Sequence, residues 1–155
     1  RLGELVRFGE DNDAIGERVH RLALALIGGK DLAATVQALY FHLREDFAVP
    51  HVALRVWGRA LPGEEGAPVE AELRDKTETM GAPHCGPAAG SPFLPWFGEA
   101  QAHIRSLALI PLGQTRTIGL LALGSEDPQR FFPEMGTLYL RRIGELTAGA
   151  LAART

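Results

Sequence analysis

A chain of 155 residues with 46% hydrophobic and 23% charged side chains has the make-up of one globular domain. On folding, a chain of this size buries roughly 70% of the surface its unfolded form exposes. A net charge of −3 and a pI near 6.0 leave no basic footprint for direct nucleic-acid binding, and Arg21 and the pair Arg141–Arg142 are too isolated to make one. Cys85 stands alone, which excludes an internal disulfide framework and points to a reducing, cytoplasmic setting. No run approaches the ~18 apolar residues of a membrane span, and the stretch 22–27 is too short for a cleavable signal. The chain starts at Arg1 rather than Met, which leaves room for an upstream segment.

The first element is a long helix over residues 2–27. Leu5, Phe8, Asn12, Ile15, Val19, Leu22 and Leu26 alternate spacings of three and four, the pattern of a heptad seam. A lone helix could bury that stripe on its own sheet. Asn12 on an a position favours a homodimer seam, because a buried amide can pair with its own copy across a two-fold axis. Residues 1–28 are therefore read as a dimerisation helix and 29–155 as the domain it serves. Gly28–Gly29 stops the helix, and Asp31 suits the N-cap of a second one bearing Leu32, Val36, Leu39, Leu43 and Phe47 on one face. Val49–Pro50 breaks it.

A first strand over 51–57 puts Val52, Leu54 and Val56 on one face and Ala53, Arg55 and Trp57 on the other. Residues 59–68 are rich in Gly, Pro and Glu and make a poor strand. Residues 69–80 read as a charged helix, and 81–98, with four prolines and four glycines, as mostly irregular. A short strand at His84–Cys85 and a short helix over 96–103 interrupt that region. Two apolar runs, 106–112 and 117–124, flank a short turn and read as a hairpin. Leu107 and Leu109 oppose Ala108, Ile110 and Leu112; Leu121 and Leu123 oppose Ile118, Leu120 and Ala122. Strands apolar on both faces belong inside a sheet covered on both sides. A closing helix is expected from Pro133, with Tyr139, Ile143, Leu146, Ala150 and Ala153 in a stripe, Gly136 in a tightly packed first turn, and an Asp127–Arg130 ion pair in the loop before it.

No residue set carries catalysis. There is no nucleophile–base signature, no glycine-rich phosphate loop, and no metal-ligand spacing among His20, His42, His51, His84 and His103. Catalytic residues, metal ligands and cofactor are each expected to be none. Candidate ligand contacts are Arg55, Trp57, Cys85, Trp96, Phe97 and His103. Arg55 beside Trp57 could grip a carboxylate, phosphate or planar base; the competing reading has Arg55 solvated against Glu64, Glu65 or Glu70. Trp96 and Phe97 suit a pocket lid or, equally, a plug that fills an empty fold. Cys85 reads as a buried hydrophobe or pocket wall.

The layout of helix, helix, strand, variable middle, hairpin and closing helix resembles a GAF-like domain. More narrowly it resembles an uncharacterised proteobacterial GAF-like family of unknown function, often encoded beside a tyrosine recombinase. The strings that carry this are Asn12–Asp13 with 20–26, 46–50, His84–Cys85–Gly86, 124–131 and Met135–Gly136–Thr137. The resemblance implies an α+β, GAF/PAS-like fold: an antiparallel sheet of five or six strands, terminal helices on one face and a loop-built pocket on the other. GAF domains usually have a clear second strand, which the 59–68 stretch puts in doubt. Some reduce free methionine sulfoxide, which needs a second thiol that this chain lacks, and others attach a bilin to a cysteine that a histidine follows, whereas here His84 precedes Cys85. The expectation is a non-enzymatic small-molecule sensing module, homodimeric through Leu5, Phe8, Asn12, Ile15, Val19 and Leu22, with a possible protein partner. The alternative is a degenerate scaffold with a filled pocket, acting only as a dimerising adaptor.

Overall fold

The computed structural model describes residues 2–113 and 115–153, with side chains from residue 14 onward in that span. Helices α1 (Leu2–Ile27) and α2 (Leu32–Glu45) lead into strand β1 (His51–Val56). A 3₁₀ turn at Glu64–Gly66, helix α3 (Ala71–Met80), strand β2 (His84–Pro87) and a kinked 3₁₀ helix at Leu94–Ala102 make up the middle. Strands β3 (Ser106–Leu112) and β4 (Gly119–Ser125) and helix α4 (Leu138–Ala153) complete the chain. Asp31 caps α2 as its residue type predicts, its Oδ1 accepting the Ala34 N–H at 2.8 Å.

Among the described residues the sheet has four strands in the order β1-β4-β3-β2, all antiparallel, not the five or six expected. The missing strand is the 59–68 stretch. Its glycines, prolines and paired glutamates form the 3₁₀ turn, which packs beside β1. Tyr40 of α2 holds that turn, its hydroxyl donating to Glu65 Oε2 at 2.8 Å.

The two-faced strand pattern is realised. Leu54, Val56, Ala108, Ile110, Leu112, Leu121 and Leu123 point back into the helix layer, where they meet Leu22, Leu26, Leu39, Leu43, Leu140, Ile143 and Leu151. Ala53, Leu109, Leu120 and Ala122 point forward. Ile118 departs from the expected parity: β4 begins at Gly119, two residues later than the expected 117, and Ile118 packs with the helix-side core over Gly58, where a Cβ would lie 2.7 Å from it.

Two expectations for the helices need correction. Helix α4 starts at Leu138, not Pro133, because Pro133 serves the turn closed by Met135 N–H to Phe132 C=O at 3.1 Å. Gly136 therefore precedes the helix and has open space around it; the close backbone approach is at Gly144, where a Cβ would meet Ile110 Cγ2 at 2.6 Å. In α1, Leu22 and Leu26 are buried in the monomer's own core, so Leu22 is not available to a seam, and Val19 packs partly against the same core. Ile15 lines a groove with Leu138 and Tyr139. Leu5, Phe8 and Asn12 lie outside the residues whose side chains are described.

Candidate functional site

The front of the sheet is a shallow bed of small side chains. Ala53 of β1 sits opposite Ala122 of β4, and Ala122 opposite Leu109 of β3. Because the alanines leave room, the segment after β2 lies directly on them. Phe93 is 2% exposed and meets Trp96 edge-on at 5.1 Å between ring centroids. Trp57, Leu73, Met80, Trp96 and Phe97 pack around this patch. Phe97 also joins the adjoining cluster of Ala88, Ile104 and Leu107.

Arg55 lies over Trp96, its guanidinium carbon 5.3 Å from the ring centroid, while Nη1 donates to the Leu54 carbonyl at 3.0 Å. No ion pair joins it to Glu64, Glu65 or Glu70 among the described residues. Arg55, Trp57, Trp96 and Phe97 thus come together as expected, but as a packed wall over the β1–β4 half of the sheet. His103 is exposed at the end of the 3₁₀ helix, its N–H donating to the Ala100 carbonyl.

Cys85 does not join them. It sits opposite Ala108 and faces the helix layer, 3% exposed, on the other side of the sheet from Arg55. Burial pushes its thiol up to about 11, so at neutral pH it is protonated and a poor nucleophile.

Beyond the aromatic wall, over the β2–β3 half, the front face stays open. A cavity of about 380 Å³ lies between Lys76 and Met80 of α3, His84 of β2, Phe93, and Leu107 and Leu109 of β3. That volume is within the range of small-molecule sites, ~300–1,000 Å³. Its two ionisable lining side chains among the described residues are both basic, Lys76 and His84, and no described carboxylate lines it. In the sequence His84 stands out as the neighbour of Cys85 and as one of five histidines without metal-ligand spacing, and Lys76 does not stand out at all. The alternation along β2 was the available signal: if Cys85 faces the helices, His84 faces the front. No group of three His, Cys, Asp or Glu side chains able to hold a metal occurs among the described residues.

The loop before α4 is built differently from the expected ion pair. Asp127 Oδ1 accepts the Gln129 N–H at 2.9 Å, and its backbone carbonyl accepts the Ser106 hydroxyl at 2.7 Å. Arg130 instead reaches across the sheet end, donating from Nη2 to the Phe47 carbonyl at 2.7 Å and from Nη1 to the Ala48 carbonyl at 3.1 Å. The 46–50 and 124–131 strings are therefore in direct contact. Those strings fall within a family profile, "Protein of unknown function, DUF484", that matches residues 1–153.

The chain belongs to the DUF484 family.

No curated protein matches this DUF484 chain by sequence. By fold it is similar to the free methionine-R-sulfoxide reductase of Neisseria meningitidis, solved with its substrate, at TM-score 0.67 and 19% identity over 90% of this chain and 89% of that one. It is also similar to the GAF domain of A. aeolicus nlh2, at 0.66 and 14% over 93% and 99%. A third relative in structure is the GAF domain of the potassium sensor histidine kinase KdpD of Escherichia coli, at 0.51 and 17% over 89% and 93%. At these identities the likeness carries the fold, which is GAF-like. No helix among the described residues is long and apolar enough to cross a membrane.

Proposed function

We propose that this DUF484 protein is a cytoplasmic, non-enzymatic small-molecule binding module, and that its ligand occupies the cavity between α3, β2 and β3. The observation that carries this is the division of the front face. Aromatic side chains close the β1–β4 half, while a concave space of about 380 Å³ with an apolar floor remains over the β2–β3 half. Thiol chemistry is disfavoured by Cys85 being the sole cysteine, buried and protonated on the opposite face. The fold likeness to a reductase does not supply the second thiol that such chemistry needs.

The packed wall of Phe93, Trp96 and Phe97 favours a second reading, a scaffold whose pocket is filled and which serves as a dimerising adaptor. In either reading a second copy would pack on α1 and α4. Leu24 of α1 is 57% exposed and Leu138 of α4 65%, and apolar grooves lie between these helices at Ile15, Val19 and Tyr139 and again at Ala23, Leu146 and Ala150.

Native mass spectrometry of protein taken gently from cells, followed by thermal-shift screening of nucleotides, amino acids and small carboxylates, separates the two. A retained or stabilising compound whose effect is lost in His84→Trp, which fills the cavity, supports the binding module. No retained mass and no stabilisation across the screen leaves the scaffold. Light scattering on Leu24→Glu tests the dimer: the mass should halve, and an unchanged mass removes α1 from the interface.

A further inference from the structure

Taking the cavity as the ligand site, as proposed above, we infer that its ligand is a compact amphipathic anion, a carboxylate or phosphate group on a small apolar body. The cavity's floor and far wall are Leu107, Leu109, Phe93 and Met80, which suit a hydrocarbon or ring. Lys76 and His84, both exposed, line it from α3 and β2, and among the described residues no other ionisable side chain does so in a protein of net charge −3. That local sign is opposite to the charge of the whole chain, so it does not follow from composition.

Neither basic side chain is used inside the fold. No ion pair or side-chain hydrogen bond engages Lys76 or His84 among the described residues. Glu72 is the carboxylate best placed to neutralise Lys76, one helical turn before it, and it forms no ion pair with it. Asp75 and Glu78 are adjacent in sequence but do not line the cavity, as offsets of one and two residues along a helix place them on other faces. An anion there gains a charge-assisted hydrogen bond from the ammonium. A cation meets Lys76 with no compensating carboxylate, and a neutral ligand keeps at most a hydrogen bond to an uncharged acceptor, weaker than one to an anion.

The test uses matched probes on the intact protein, read by saturation-transfer NMR and calorimetric titration: phenylacetate and phenyl phosphate as anions, phenylacetamide as the neutral isostere, and phenethylamine as the cation. The anions should bind about tenfold or more tighter than phenylacetamide, and phenethylamine weakest of all. Lys76→Met should weaken the anions about tenfold, the loss expected of one charge-assisted hydrogen bond, while Lys76→Arg should retain them. Phenyl phosphate binding better than phenylacetate assigns a phosphoryl ligand, and the reverse order a carboxylate. Equal binding of phenylacetamide, preferred binding of phenethylamine, or unaltered affinity in Lys76→Met overturns the anion inference while leaving a binding cavity in place. If none of the four binds and the wider screen stabilises nothing, the binding-module reading itself falls.

Discussion

Arg130 holds the turn after α2 by its two carbonyls: Nη2 donates to Phe47 C=O at 2.7 Å and Nη1 to Ala48 C=O at 3.1 Å. The clamp joins segments more than 80 residues apart in sequence, at the end of the sheet where the chain passes from α2 to β1. It also secures Ala48 at φ 54°, a left-handed conformation that a side chain other than Gly adopts only when its surroundings enforce it.

Arg130→Ala should therefore destabilise the fold by about 2 kcal/mol, since it removes two charge-assisted hydrogen bonds and a restraint on a strained turn. Arg130→Lys should recover little, because one ammonium cannot reproduce the fork that spans both carbonyls. Urea unfolding midpoints decide this. In the Arg130→Ala background, Ala48→Gly should regain part of the loss.

Gly144 and Gly149 make an internal contrast on one helix. A methyl at Gly144 meets Ile110 Cγ2 at 2.6 Å, so Gly144→Ala should cost about 1–3 kcal/mol by forcing α4 off β3. At Gly149 nothing lies within 4 Å, so Gly149→Ala should stabilise by about 0.5–1 kcal/mol through helix propensity alone. Thermal melts of the two variants should move in opposite directions.

Asp46 accepts a hydrogen bond from His42 Nδ1 at 2.7 Å and lies 3.5 Å from Arg21 Nε. The His42 hydrogen bond, aided by Arg21, holds its carboxyl below the usual carboxylate range. A depressed folded-state value means the native state binds fewer protons than the unfolded chain through that interval. The stability it contributes is present above the unfolded value of about 3.9 and is lost as pH falls through the folded one. Asp46→Asn should thus melt below wild type at pH 7, and the gap should shrink only in the acid range below about pH 4. A gap that stayed constant as pH fell from about 5 to about 2 would remove the Asp46 carboxylate as its source.

Cys85 should resist thiol reagents in the native state. With its thiol pushed up to about 11 and its side chain inside the helix-layer core, labelling at pH 8 should be slow and should become rapid in denaturant. Rapid native labelling would place the thiol in a water-accessible site and reopen covalent chemistry.

Much of the fold was legible because strand and helix periodicities record burial directly. The run from Ser106 to Leu112 is apolar on both faces and is the interior strand β3, as expected. Val52, Leu54 and Val56 face the helices because alternation along β1 permits no other division from Ala53, Arg55 and Trp57. The α1 stripe was legible as a stripe but not by destination. Over three heptads, spacings of 3.5 and 3.6 residues barely differ, so a stripe buried on its own sheet and a seam facing a partner look alike. Leu22 and Leu26 proved to belong to the first kind.

The candidate site was less legible, because its members depend on which residues stand beside one another across strands and helices. Arg55, Trp57, Trp96 and Phe97 were recognised by type and do gather on one face, yet as packing. Lys76 and His84 are unremarkable in sequence and gain their setting only where α3 and β2 border the same hollow.

By itself, then, the order of residues determined the strands, their faces, the helix stop at Gly28–Gly29, and the want of a strand at 59–68. These are local consequences of side-chain alternation, capping and backbone restriction. Only the tertiary structure decided that Cys85 turns away from the front, that Arg130 reaches Phe47, and that the front face is filled on one half and hollow on the other. Each of those depends on the shape left over when distant segments pack, and no short-range pattern encodes a leftover volume.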